Sequence, residues 1–248
     1  MTRAVTLPLK RYQDLLWTVE VEIEGERVDF ILDTAAGMTC ITPGLADRLG
    51  RAPFGRLVGH RMNGDPVSMA RCGNLELGIG EAVIGHTTVG VFDLMKLLPP
   101  EWPELAGILS LASFRDQPFS IDVDREALTL ETANSLIERC EGRPRLPMME
   151  ARQMQGFALD LFLALETERG RLWLELDLGN TGLVLLAPHA AELLGCADGD
   201  RHELDVAGLG SFVSEVAVKD LIYDGNLGAT FFAGRTLSFD LAKGGIWA

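Results

Sequence analysis

From Trp17 to Glu24 the chain alternates: Trp17, Val19, Val21 and Ile23 interleave with Thr18, Glu20, Glu22 and Glu24. A period of two sends successive side chains to opposite faces, so the stretch predicts a half-buried β-strand. A turn at Gly25 follows, and an apolar run through Phe30, Ile31 and Leu32 ends on Asp33. The arrangement returns later in the chain. Phe157, Leu159, Leu161, Leu163 and Leu165 keep the same period, a turn falls at Gly170, and the run "LWLEL" ends on Asp177. Each unit predicts a hairpin whose second strand delivers a carboxylate into a turn.

The likeness extends beyond the hairpins. "LPL" stands before the first unit and "LPM" before the second. After the aspartates, "ITPGLADRLG" and "LAPHAAELLG" each carry a proline, a short Ala/Leu segment and a closing glycine, the punctuation of a short helix. Residues 107–130, "GILSLASFRDQPFSIDVDREALTL", align without a gap on residues 225–248, "GNLGATFFAGRTLSFDLAKGGIWA". Gly107/Gly225, Leu109/Leu227, Phe114/Phe232, Ser120/Ser238 and Asp122/Asp240 match. Three aligned segments in one order indicate an internal duplication. Asp33 lies farther from Gly107 than Asp177 does from Gly225, so the first copy carries extra chain after its aspartate. The linker is expected near residues 132–145, with a short helix over 133–139. Short strands dominate, which predicts an all-β chain of two lobes, 1–135 with the Asp33 loop and 136–248 with the Asp177 loop.

A chain of 248 residues accommodates two such lobes, and 47% hydrophobic with 23% charged residues describes a globular protein with a core. The formal net charge of -14 argues against a nucleic-acid partner, which needs a basic surface. No basic start followed by an apolar run marks a signal peptide, and no apolar run approaches the ~20 residues that span a bilayer. A cytoplasmic location without a membrane partner is expected, or a periplasmic one if a leader has been removed. Cys40, Cys72, Cys140 and Cys196 follow no disulfide or CxxC spacing and are expected to be separate buried thiols. His60, His86, His189 and His202 are isolated, no GxSxG elbow occurs, and "GLGSF" and "GIGEAVIG" lack phosphate-loop spacing. Neither a metal nor another cofactor is expected.

An apolar strand running into Asp33-Thr34 and small residues resembles the active-site loop of the aspartic proteases, pepsin-like and retropepsin-like. "GILSLASF" followed by "FSIDVDREALTL" is similar to the closing segment of bacterial retropepsin-like domains. The resemblance covers most of both halves, and its short motifs gain specificity from their order and duplication. It implies a two-lobed pepsin-like acid protease barrel fold built from two retropepsin-like repeats, with short helices. It also implies that Asp33 and Asp177 meet at a shared site in one monomeric chain. A lone aspartate after a strand is an ordinary turn former; recurrence in a duplicated context points to a pair. Two carboxylates within hydrogen-bonding reach share a proton, and the ionised member can activate a water while the other donates. The activity implied is an aspartic endopeptidase acting on a peptide or protein, the alternative a catalytically inactive peptide-binding module.

Where the family usually has Asp-Thr-Gly or Asp-Ser-Gly, this chain has Ala35 in the first loop and Leu178 beside Asp177 in the second. Thr34 is left as the hydroxyl able to brace the paired loops, with Asn180 or Thr181 as other polar contacts, and Ser110 stands opposite Gly228. Thr34, Ala35, Gly179 and Asn180 are expected to contact substrate. So are Met62, Asn63 and Gly64, because Asn63-Gly64 sits between two apolar segments and predicts a hairpin that could serve as a flap. A second-lobe counterpart is sought at residues 206–213. Cys40 is expected to be a core thiol, and Asp122 and Asp240 turn or strand-edge residues. No propeptide is evident before the first strand, so activity is expected without removal of one.

Overall fold

Strand Leu16–Ile23 pairs antiparallel with Glu26–Leu32, and Val19, Val21 and Ile23 are fully buried, as their alternation requires. The structure, a computed structural model, describes residues 3–86 and 88–248. Strand Gly107–Leu109 inserts between Glu26–Leu32, which it meets in parallel, and Cys40–Ile41, which it meets antiparallel. The second half repeats this, with Gly225–Leu227 parallel to Gly170–Leu176 and antiparallel to Val184–Leu186. The matched glycines have a steric cause. A Cβ on Gly107 would lie 2.2 Å from the Cys40 carbonyl oxygen and 2.5 Å from Phe30 Cε1, and one on Gly225 would lie 2.5 Å from the Leu185 carbonyl oxygen. Only a residue without a side chain lets the strand behind each aspartate loop approach so closely.

The second lobe closes on itself. Strands Asp160–Thr167, Gly170–Leu176, Gly225–Leu227, Val184–Leu186, Gly210–Val218 and Arg201–Val206 follow one another, and the pairing of Leu165 with Val206 completes a six-stranded barrel. The first lobe's ten-stranded sheet stays open as a half-barrel. A five-stranded sheet joins the lobes in the order Val5–Pro8, Ala127–Leu130, Phe119–Asp122, Thr236–Asp240, Gly245–Trp247. At its centre Ser120 pairs with Ser238, Phe119 with Phe239 and Ile121 with Leu237. The duplicated serines therefore face each other across an approximate twofold axis, their hydroxyl oxygens 2.9 Å apart. Beside them Phe119 and Phe239 stack at 4.5 Å, a contact worth about 0.5–1.5 kcal/mol beyond its burial. The chain has the all-β, two-lobed pepsin-like fold.

The helices fall where proline and glycine place them. Thr42 caps Pro43–Arg48 by accepting from Leu45 N, and Gly195 ends Pro188–Leu194 in the left-handed conformation. Helix Ala133–Cys140 opens with a Thr132–Ser135 capping box. Asp122 and Asp240 close turns, accepting from Arg125 N and Lys243 N.

Two details differ from the sequence expectation. Phe157 and Leu159 precede the strand, which begins at Asp160 and buries six consecutive residues instead of alternating. Its second face is covered because Asp160 lies beside Gly37 of the other lobe and Phe162 packs edge-on against Tyr223. Of the four free cysteines, Cys40 and Cys72 are buried but Cys140 and Cys196 are partly exposed, since helix Ala133–Cys140 and the turn after Gly195 lie at the surface. No helix among the described residues is long and apolar enough to cross a membrane.

Candidate active site

Both strand-to-loop turns open into one cavity of about 910 Å³ between the lobes, with Asp33 and Asp177 in its wall. Each carboxylate is held by the backbone of its own loop. Ala35 N donates to Asp33 Oδ1 at 2.9 Å, and Asn180 N donates to Asp177 Oδ1 at 3.0 Å. The loops also interlock across the axis. Thr34 Oγ1 donates to the Leu176 carbonyl oxygen at 2.6 Å and accepts from Leu178 N at 2.8 Å. The reciprocal brace is absent because Leu178 has no hydroxyl; its side chain is only 1% exposed within the core. Two neutral hydrogen bonds contribute about 1 kcal/mol each, and burying a leucine contributes about 1.5–3 kcal/mol. The exchange is close to neutral for stability and leaves the loops braced from one side.

Gly179 shows how near the loops come. A Cβ there would lie 2.7–2.9 Å from the Asp33 carboxyl atoms. The second loop's glycine is thus required by its partner's aspartate. Ala35, at the matching place in the first loop, is also in the cavity wall.

Met62 and Asn63 line the cavity from above, on the hairpin formed by Phe54–His60 and Pro66–Cys72. Its turn is closed by Gly64 N donating to the Arg61 carbonyl and Arg61 N donating to the Asp65 carbonyl, with Gly64 at φ 84°. This is the type I turn with a left-handed glycine that a longer hairpin loop uses. The flap tip reaches the opposite lobe, where Ile222 N donates to the Met62 carbonyl at 2.9 Å. Thr34 and Gly64 do not border the cavity: Thr34 lies fully buried behind its floor and Gly64 turns toward Ile222. Hairpin residues 206–213 form as expected but lie away from the cleft, beside Arg145 and Pro147; the second lobe lines the cavity instead through Lys219 to Tyr223.

The two sides of the cavity differ in chemistry. Both lobes present apolar residues, Phe92 and Ile108 from the first and Leu185 and Ile222 from the second. The extra buried acids, Asp160 and Glu175, come with Tyr223 from the second, whereas the first adds His60 and Arg61. Glu175 accepts from the Tyr223 hydroxyl, and Asp160 accepts from Gln153 Nε2 at 3.1 Å. Burial raises Asp33, Asp177, Asp160 and Glu175. Asp33 is pushed from 3.8 to about 7 by burial first and by the Asp177 charge second, against the pull of the Ala35 and Ala36 amides. Asp177 is raised by burial and opposed by Asn226, then by the Asn180 and Gly179 amides. Burial brings Asp160 to about 6 and holds Glu175 well above the ordinary glutamate range. Among the described residues no three His, Cys, Asp or Glu are grouped to hold a metal ion. Cys40 borders the cavity, but burial pushes its thiol up to about 12, so it remains protonated and a poor nucleophile.

An aspartyl protease family model matches residues 19–111, from the first hairpin through the Asp33 loop and flap to the start of the closing segment. Conglutin gamma, a unique basic 7S globulin from lupine seeds, has a similar structure with a TM-score of 0.62 at 10% identity, over 99% of this chain and 94% of that one. Residues 19–111 thus resemble an aspartyl protease, and the whole chain shares the two-lobed fold. Basic 7S globulin from soybean gives a TM-score of 0.61 at 10% identity, with the same coverage of 99% and 94%. At such identity these likenesses establish the fold across both lobes and nothing about activity. No curated protein sequence matches the chain.

Asp160, Glu175, Tyr223 and Asn226 were not singled out by sequence reasoning. A signal was present for two of them. Aligning the copies on their aspartates sets Glu175 against Ile31, and the gap-free closing alignment sets Asn226 against Ile108. Polar residues stand in one copy where the other has apolar ones.

Proposed function

We propose that the protein is an aspartic endopeptidase that hydrolyses peptide bonds with a water activated by Asp33 and Asp177. The observation that carries this reading is the convergence of two duplicated aspartate loops on one cavity. There both carboxyls are buried, and the Asp177 charge helps to raise Asp33. An extended peptide would lie in the cleft under the flap hairpin, whose backbone offers strand-like pairing. The ionised aspartate takes a proton from water as its oxygen attacks the scissile carbonyl carbon, and the protonated aspartate donates to the carbonyl oxygen. Collapse of the resulting diol breaks the C–N bond, with the amine leaving as it gains a proton. One chain supplies both carboxyls, so the reading needs no second copy.

The inactive peptide-binding alternative is favoured by one specific observation, the one-sided brace left by Leu178. Incubation with a peptide library between pH 3 and 8, for wild type, Asp33→Asn and Asp177→Asn, separates the two. The enzyme reading requires wild-type cleavage that both variants lose by at least ~10³-fold, the scale of removing an essential group. Peptide binding without turnover in the wild type would establish the alternative.

A further inference from the structure

The aspartates are related by an approximate twofold, but their surroundings are not. Asn226 Nδ2 donates to Asp177 Oδ2 at 2.7 Å. The twofold mate of Asn226 is Ile108, which has nothing to offer Asp33. Asn226 is fully buried, and its orientation follows from backbone groups of fixed polarity. Gly182 N–H can only donate, and it donates to Asn180 Oδ1 at 3.3 Å. The Leu183 carbonyl can only accept, and it accepts from Asn180 Nδ2 at 2.9 Å. Asn180 Nδ2 also donates to Asn226 Oδ1 at 2.8 Å, so the Asn226 amide must turn its NH₂ toward Asp177. Gly228 leaves room for this chain, since a Cβ there would lie 2.8 Å from Asn180. In the first lobe the same position is Ser110, whose hydroxyl instead joins Thr39 at 3.2 Å and caps Ala112.

Asp177 therefore accepts a side-chain amide in addition to loop N–H groups, whereas Asp33 accepts loop N–H groups alone. The other titratable groups around the pair are Glu175, Asp160, Tyr223 and the protonated Cys40 thiol, with His60, Arg61, Lys219 and Asp220 also bordering the cavity. The Asp160 charge disfavours ionisation of Asp33, the charges of Asp177, Asp160 and Asp33 help to keep Glu175 protonated, and Tyr223 is engaged with Glu175. Two adjacent carboxyls hold one negative charge more readily than two, and that charge settles where donors are most numerous. We propose that Asn226 makes Asp177 the resident carboxylate of the pair and leaves the shared proton on Asp33. Within the hydrolase reading, on which this assignment of roles rests, Asp177 is the general base and Asp33 the general acid. Asn226 is a positioning residue: it acts through Asp177 and is too buried to touch substrate.

The test is a titration of the aspartate side-chain carboxyl carbons by NMR in the intact protein, with Asp33→Asn and Asp177→Asn giving the assignments. In wild type, Asp177 should remain ionised to lower pH than Asp33. Asn226→Leu should raise the Asp177 midpoint by about one pH unit or more, the scale of a lost charge-assisted donor. Adding Ile108→Asn to Asn226→Leu moves the amide to the first lobe and should reverse the order. Peptide turnover in Asn226→Leu should lose its acidic limb over the same interval, with kcat changing more than KM. A wild-type order with Asp33 ionising first overturns the proposal, as do unchanged midpoints in Asn226→Leu. Should Asn226→Leu not fold, the wild-type order alone still decides. Absence of peptide cleavage defeats the hydrolase reading but leaves the titration, and the placement of charge it measures, intact.

Discussion

Replacing Asp33 by Asn should stabilise the protein while abolishing turnover, and the stabilisation should depend on pH. Asp33 is raised from 3.8 to about 7 in the folded state, so folding favours its protonated form. A raised acid contributes stability that is fully present below about pH 4 and is lost as pH rises through about 7. At ~1.4 kcal/mol per pH unit, ionising the folded chain above that range costs up to about 4 kcal/mol. Asp33 keeps an edge in the cleft, where water screens it, and the discounted cost is about 2–4 kcal/mol. Asparagine is nearly isosteric, never ionises, and removes the like charge facing Asp177. The stability gap between Asp33→Asn and wild type should therefore be small at pH 4 and reach about 2–4 kcal/mol at pH 8. For a chain of 248 residues that corresponds to roughly 4–16 °C in Tm. Urea denaturation at pH 4, 6 and 8 measures it without adding salt that would screen the pair. A gap independent of pH, or a variant less stable than wild type at pH 8, would refute the view that the dyad is held against its own ionisation.

Two further variants probe the loops. Thr34→Val keeps the shape but strands Leu178 N–H and the Leu176 carbonyl. It should cost about 2–4 kcal/mol in denaturation, whereas Thr34→Ser should stay within about 1 kcal/mol of wild type; equal losses would show that the bridge does not matter. Gly179→Ala places a methyl 2.7–2.9 Å from the Asp33 carboxyl atoms and must displace one loop. Its kcat should fall by roughly 10²-fold, the effect of misplacing a reacting group by about 1 Å, and steady-state kinetics showing normal kcat would mean the loops are not in this contact.

The duplication made the architecture legible. Alternation from Trp17 to Ile23, the glycines at 107 and 225, and the paired prolines at 43 and 188 each record a local constraint. Strand pairing in two faces, close strand approach and helix entry can be read one segment at a time. Asp33 and Asp177 were recoverable for the same reason, since each ends its own hairpin in the same way. Their partners were harder to see because the contacts that define them join residues distant in sequence. Thr34 looked like a substrate contact, yet the interlock with Leu176 and Leu178 places it behind the floor. The hairpin at 206–213 matched the first-lobe flap in pattern, but closure of the second barrel through Leu165 and Val206 turns it from the cleft.

The sequence by itself determined that there are two copies, that each delivers a carboxylate from an apolar strand, and that strands dominate. Those features follow from periodicity and from residues whose backbone preferences act locally. Tertiary structure alone decided that the second lobe lines the cavity with Asp160, Glu175 and Tyr223 and that Asn226 faces Asp177. A buried polar side chain takes its role from whichever donor or acceptor the fold brings to it. That partner is fixed by packing across the barrel, not by neighbours along the chain.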